Sequence, residues 1–132
     1  MAVAVALIAQ SAHAEVSTWC LWTQLDDLHV VATRCAGKPS AEAEAGYQRL
    51  RRAVEAAILR DASLRAGESA DSARAEMAQY EAKRRPIDPA RCEEPALKKA
   101  VEIFGALASS EKVAQLEAGL AKRRDPYEGD CL

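Results

Sequence analysis

Apolar positions along this chain recur at intervals of three and four, the spacing of one face of an α-helix. Leu21, Leu25, Leu28, Val31 and Cys35 form the first such stripe, with Trp22 and His29 flanking it. Thr18 stands where an N-cap is needed, and Gly37 and Pro39 end the segment, so the first predicted helix runs from about Thr18 to Cys35. A second opens at Ser40 as N-cap, with Glu42 and Glu44 at the positive end of its dipole. Its apolar face is Tyr47, Leu50, Val54, Ala57 or Ile58, and Leu64, with Arg49, Arg51, Arg52 and Arg60 falling mostly off it, and Gly67 stops it.

A third helix, near Ser69 to Arg85, carries Ala73, Met77 and Tyr80 and cannot pass Pro86-Ile87-Asp88-Pro89. The fourth begins at Pro95, a favoured first-turn residue, and presents Leu97, Val101, Phe104 and Leu107. Ser109 or Ser110 caps a fifth, with Val113, Leu116 and Leu120. No run of alternating β-branched residues predicts a strand. The expected fold is all-α: a small bundle of about five helices.

Composition adds a constraint on stability. The 132 residues suit one domain, but 29 of them are alanine, which buries little area per side chain. After Ala14, only 27 of 118 residues are larger apolar or aromatic side chains, a lean core that gains from covalent staples. The net charge of −2 argues against a strongly basic nucleic-acid binder, and no aromatic residues interleave the basic clusters to make a base-stacking groove.

The N-terminus and the cysteines point to one compartment. Met1 to Ala9 is apolar, and Ala12-His13-Ala14 has the small-x-small pattern of a signal-peptidase site, although no Lys or Arg precedes the run. Residues 1–14 are therefore expected to be a signal segment, and residues 15–132, from Glu15, the single exported domain. The apolar run is shorter than the roughly 20 residues of a spanning helix, so no stable membrane span is expected after processing. Four cysteines without a C-x-x-C spacing read as two structural disulfides in an oxidising compartment, periplasmic or secreted.

The pairing can be argued from helix geometry. Cys20 and Cys35 lie 15 residues apart in one predicted helix, roughly 22 Å along its axis. A disulfide holds its Cα atoms within about 7 Å, so these two cannot pair while the helix is continuous. In an up-down bundle the second helix descends and the third ascends, which returns the chain to Cys35 at Cys92. The fourth then descends, the fifth ascends, and the tail folds back along the bundle. Cys35–Cys92 with Cys20–Cys131 follows; a third helix lying across the bundle would permit Cys20–Cys92 with Cys35–Cys131.

Candidate chemistry is sparse. The chain contains no G-x-S-x-G, H-E-x-x-H, Walker A or G-x-G-x-x-G motif, and His29 alone remains after processing, so an enzyme is not expected and no catalytic residue, cofactor or metal is assigned. Asp125, Glu128 and Asp130 in the tail do not follow EF-hand spacing. Trp19 and Trp22, with His29 further along the same helix, are the candidate binding residues, as interface anchors or pocket walls; the plainer reading makes them the end of a small core. Arg49/Arg51/Arg52, Lys83/Arg84/Arg85 and Lys122/Arg123/Arg124 are basic clusters that read as solvated faces or as sites for an anionic partner. Together these features lead to an exported protein-binding module, such as an inhibitor, immunity protein or adaptor of the bacterial cell envelope, with another envelope or secreted protein as partner. Two alternatives stand beside it: a small-ligand or metal carrier with a pocket between helices, and a structural or stress-related envelope protein. The oligomeric state is not encoded in any of these patterns.

Overall fold

The computed structural model describes residues 16–131, which form five α-helices: α1 Thr18–Ala36, α2 Ala41–Asp61, α3 Ala70–Ala82, α4 Pro95–Leu107 and α5 Ser110–Leu120. Short 3₁₀ turns at Ala62–Leu64 and Pro89–Glu93 complete the order, and among the described residues no strand forms beyond an isolated bridge between Val16 and Asp130. The expected signal segment lies outside the described residues.

Serines start four of the helices. Ser17, Ser40, Ser69 and Ser109 each accept a hydrogen bond from a backbone N–H three residues on, satisfying one of the amides a helix start leaves without a partner. The cap of α1 is thus Ser17, not Thr18: Ser17 keeps the extended backbone of a cap, while Thr18 is already helical. At Ser69 the cap is reciprocal, because the Ser72 hydroxyl also accepts from the Ser69 N–H.

Two predicted helix ends shift. The chain tightens into a 3₁₀ turn after Asp61, which carries Leu64 off the apolar face and leaves it half exposed. Helix α3 stops at Ala82 rather than Arg85, since Pro86 disfavours the helical conformation of the residue before it.

Helix α2 is the centre of the bundle, with α1, α3 and α5 packed around it and α4 packed chiefly on α1. Trp22, Leu25, Leu28 and Val31 of α1 meet Tyr47, Leu50, Val54 and Ile58 of α2 in one core, which Met77 of α3, Leu97 and Phe104 of α4, and Val113 of α5 close from outside. The disulfides are Cys35–Cys92 and Cys20–Cys131, each with Cα atoms 5.2 Å apart. The first ties the end of α1 to the turn before α4; the second ties the first turn of α1 to the tail.

The pairing matches the expectation, but the path to it differs. Ala108, just before α5, lies against Gly46 in the first turns of α2, and the carbonyls of Leu120 and Lys122 accept from Arg60 in its last turn. Helix α5 therefore runs in the same direction as α2, not opposite to it. The cause is the length and seat of α4. Its 13 residues are fewer than the 19 of α1, and its Phe104 ring lies 5.6 Å from His29, so the chain turns back beside the beginning of α2. Helix α5 then delivers the tail to Cys20 without a return along the bundle.

Candidate functional site

A groove of about 520 Å³ lies beside the Cys35–Cys92 end. Val30 and Val31 of α1, Ile87 of the proline-rich link and Leu97 of α4 supply its apolar surface. Lys83, Arg84, Arg85 and Arg91 supply four cations. The local sequence explains this arrangement. Pro86 ends α3 and forces the link outward, the Arg34 Nε holds the Ile87 carbonyl at 3.3 Å, and Cys92 is fastened to Cys35. The basic run at the end of α3 is thereby laid along a groove instead of around a helix.

These cations are not equivalent. Arg84 is bonded to the buried Asp26, and Arg91 forms a fork with Glu94 at 3.0 and 3.3 Å. Lys83 and Arg85 are exposed and make no ion pair with another described residue. Asp27, the one carboxylate among the described residues that line the groove, accepts from the Tyr80 hydroxyl at 2.7 Å. Burial pushes the Asp27 carboxyl above its ordinary range, against the lowering effect of that hydrogen bond. Burial and the neighbouring Asp27 push the Tyr80 phenol well up, so it remains a donor. The groove consequently offers cations and apolar surface to an occupant, with its carboxylate already engaged.

Behind the groove lies an ion network that the chain pattern did not reveal. Asp26, 2 % exposed, faces Arg84 and the Arg51 Nη1 at 3.7 Å. Arg51 also bonds Glu55 at 3.0 Å, the Tyr47 hydroxyl at 3.2 Å and Glu81 of α3, with its guanidinium 5.9 Å from the Trp22 ring centroid. Along the chain Arg51 falls mostly off the apolar face of its helix, and nothing in the helical spacing marks Asp26. The partners of Asp26 are 25 and 58 residues away, beyond the reach of helical spacing.

The candidate residues have structural neighbours. Trp22 is buried in the core and donates its indole N–H to Glu55 at 3.1 Å. Trp19 packs on Trp22 and on Tyr127 of the tail, at centroid distances of 5.4 and 5.7 Å. His29 stacks on Tyr47 at 3.9 Å with its ring nearly parallel, and its Nε2 lies 2.9 Å from Glu44. The Glu44 carboxyl is held below its ordinary range, first by the Gln48 amide and then by His29. The histidine–carboxylate pair therefore joins α1 to α2. Trp19, Trp22 and His29 line neither the groove nor the second cavity described below.

That second cavity, about 170 Å³, opens at the other end of the bundle, between Leu21 of α1, Ala57 of α2, Leu107 of α4 and the Leu116–Leu120 face of α5. Beside it Asp61, 2 % exposed, receives a bidentate Arg60 at 2.8 and 2.7 Å, the Arg123 guanidinium at 3.2 Å and the Arg124 backbone N–H at 3.2 Å. These donors, Arg60 first, hold its carboxyl down at about 2. Asp61 is a clamp between α2 and the tail. In the tail, Asp125 bonds Arg65 at 2.9 Å and caps the Tyr127 N–H at 2.9 Å. Among the described residues no group of three or more His, Cys, Asp or Glu side chains is placed to hold a metal ion, and no helix is long and apolar enough to cross a membrane.

No protein-family model, curated protein or solved structure matches the chain.

Proposed function

We propose that this chain is an exported protein-binding module, such as an inhibitor, immunity protein or adaptor of the bacterial cell envelope, and that the groove beside Cys35–Cys92 is its binding face. The observation that carries the reading is the groove's composition: Lys83 and Arg85, which make no ion pair with another described residue, stand next to Val30, Ile87 and Leu97. An acidic segment with interspersed apolar side chains complements that surface. The apolar contacts supply affinity, and the rim cations supply steering and register. The whole chain is slightly acidic, so attraction comes from this face and not from bulk charge. The two disulfides, together with the apolar run Met1 to Ala9 and the small-x-small pattern at Ala12-His13-Ala14, support a periplasmic or secreted setting.

The test is capture from periplasmic extract by the immobilised protein, in parallel with a Lys83→Glu/Arg85→Glu variant. Neither side chain has a described ion pair to lose, so the variant keeps the fold. A protein held by the unmodified chain and released by the double charge reversal supports the reading. Equal retention by both, or retention by neither, overturns it.

A further inference from the structure

We propose that the cavity at the Cys20–Cys131 end is a binding site for a small amphipathic carboxylate with an apolar body of about six carbons. This site lies at the opposite end of the bundle from the groove and stands independently of any role for it. Four helices contribute its apolar surface: Leu21, Ala57, Leu107, Leu116 and Leu120. Leu21, Leu116 and Leu120 remain only partly buried, so apolar surface is still available to an occupant. The volume of about 170 Å³ is close to that of a dry cavity that accepts benzene, which sets the size of the body.

The charge around the cavity selects the head group. Among the described residues, Arg60, Lys112, Lys122 and Arg124 line it against one carboxylate, Asp61. Asp61 is saturated by Arg60, Arg123 and the Arg124 backbone, and so neither repels an anion strongly nor binds a cation. Lys112 and Lys122 make no ion pair with another described residue. They stand at the two ends of α5, so the carboxylate seats at one end of the slot with its tail along the leucines. An amine of the same length meets the two lysines there, while Asp61 is already held by Arg60 and Arg123.

Gly119 provides the space. It shares the α5 face with Lys112, Leu116 and Leu120, and a Cβ at this position would meet nothing within 4 Å. A larger side chain at 119 therefore meets no obstacle at its first carbon, at a position on the lining of the cavity, and replaces a residue that weakens helices.

The experiment is calorimetric titration of the full chain with straight-chain carboxylates from butyrate to octanoate, with octylamine as the control. Saturable one-to-one binding is expected, tightening about fourfold per added methylene until the cavity is full. Octylamine is expected not to bind. Gly119→Leu should abolish binding while circular dichroism and thermal stability are retained. Lys112→Ala or Lys122→Ala should weaken octanoate at least fivefold, and the affected variant identifies the end that holds the head. Three results overturn the proposal: no saturable binding of any carboxylate; equal binding of octylamine; or octanoate affinity unchanged in Gly119→Leu and in both lysine variants.

Discussion

Gly46 of α2 and Ala108 meet backbone to backbone: a Cβ on residue 46 would lie 1.9 Å from the Ala108 carbonyl oxygen. The contact sets where the chain turns between α4 and α5, and hence the direction of α5. Because the obstacle is backbone rather than the end of a flexible side chain, Gly46→Ala must push the α4–α5 turn away from α2. We expect a loss of about 2 kcal/mol or more in urea denaturation, despite the better helix propensity of alanine. Gly105→Ala, where a Cβ meets nothing within 4 Å, is the control and should be neutral or stabilising. Equal stability of the two variants would show that the close approach is absent.

Asp61 makes stability depend on acid. Its folded carboxyl titrates at about 2 against an ordinary 3.8, so its stabilisation is present above the unfolded value and is lost as pH falls through the folded one. With the solvent around the exposed parts of Arg60 and Arg123 discounted, the contribution is about 1 kcal/mol. Stability should therefore decline between about pH 4 and pH 2. In Asp61→Asn this part of the decline should be missing, with stability near neutrality lower by a similar amount. Denaturation midpoints measured across that pH window decide it; parallel profiles for the two proteins would exclude the clamp.

The buried Asp26 should be sensitive to loss of charge. Asp26→Asn leaves Arg51 and Arg84 without their shared carboxylate, at an expected cost of about 3 kcal/mol. Arg84→Gln should cost less, because its side chain is 32 % exposed and water can replace part of the interaction. The double variant should fall short of additivity by at least about 0.5 kcal/mol. Strict additivity in this cycle would mean that the two groups do not interact in solution.

The disulfides close long loops, and chain entropy predicts that each matters. The Cys35–Cys92 crosslink spans 57 residues and Cys20–Cys131 spans 111. Loops of these sizes correspond to about 4 and about 5 kcal/mol. Replacing either pair by serine should thus cost several kcal/mol, with only a small difference between them. Non-reducing peptide mapping should yield a peptide joining Cys35 to Cys92 and another joining Cys20 to Cys131. A peptide joining Cys20 to Cys35 would mean that α1 is broken.

Much of this architecture was legible along the chain. The apolar intervals locate all five helices, because the stripe that faces a core repeats with the turn of the helix itself. Serine caps and the Pro86–Pro89 link mark most boundaries through chemistry confined to a few residues. An unbroken α1 keeps Cys20 and Cys35 too far apart, which excludes one of the three disulfide pairings, but the choice between the other two depends on the path of the later helices. The direction of α5 was not, because it depends on where α4 crosses α1 and on the backbone approach of Ala108 to Gly46. Likewise, Arg51 reads locally as one more basic residue and becomes the centre of an ion network only when Asp26 and Glu81 arrive from other helices. The groove and the leucine-lined cavity arise in the same way. Their walls come from three or four segments far apart in the chain, and helical spacing describes one face of one helix, not the space left between several.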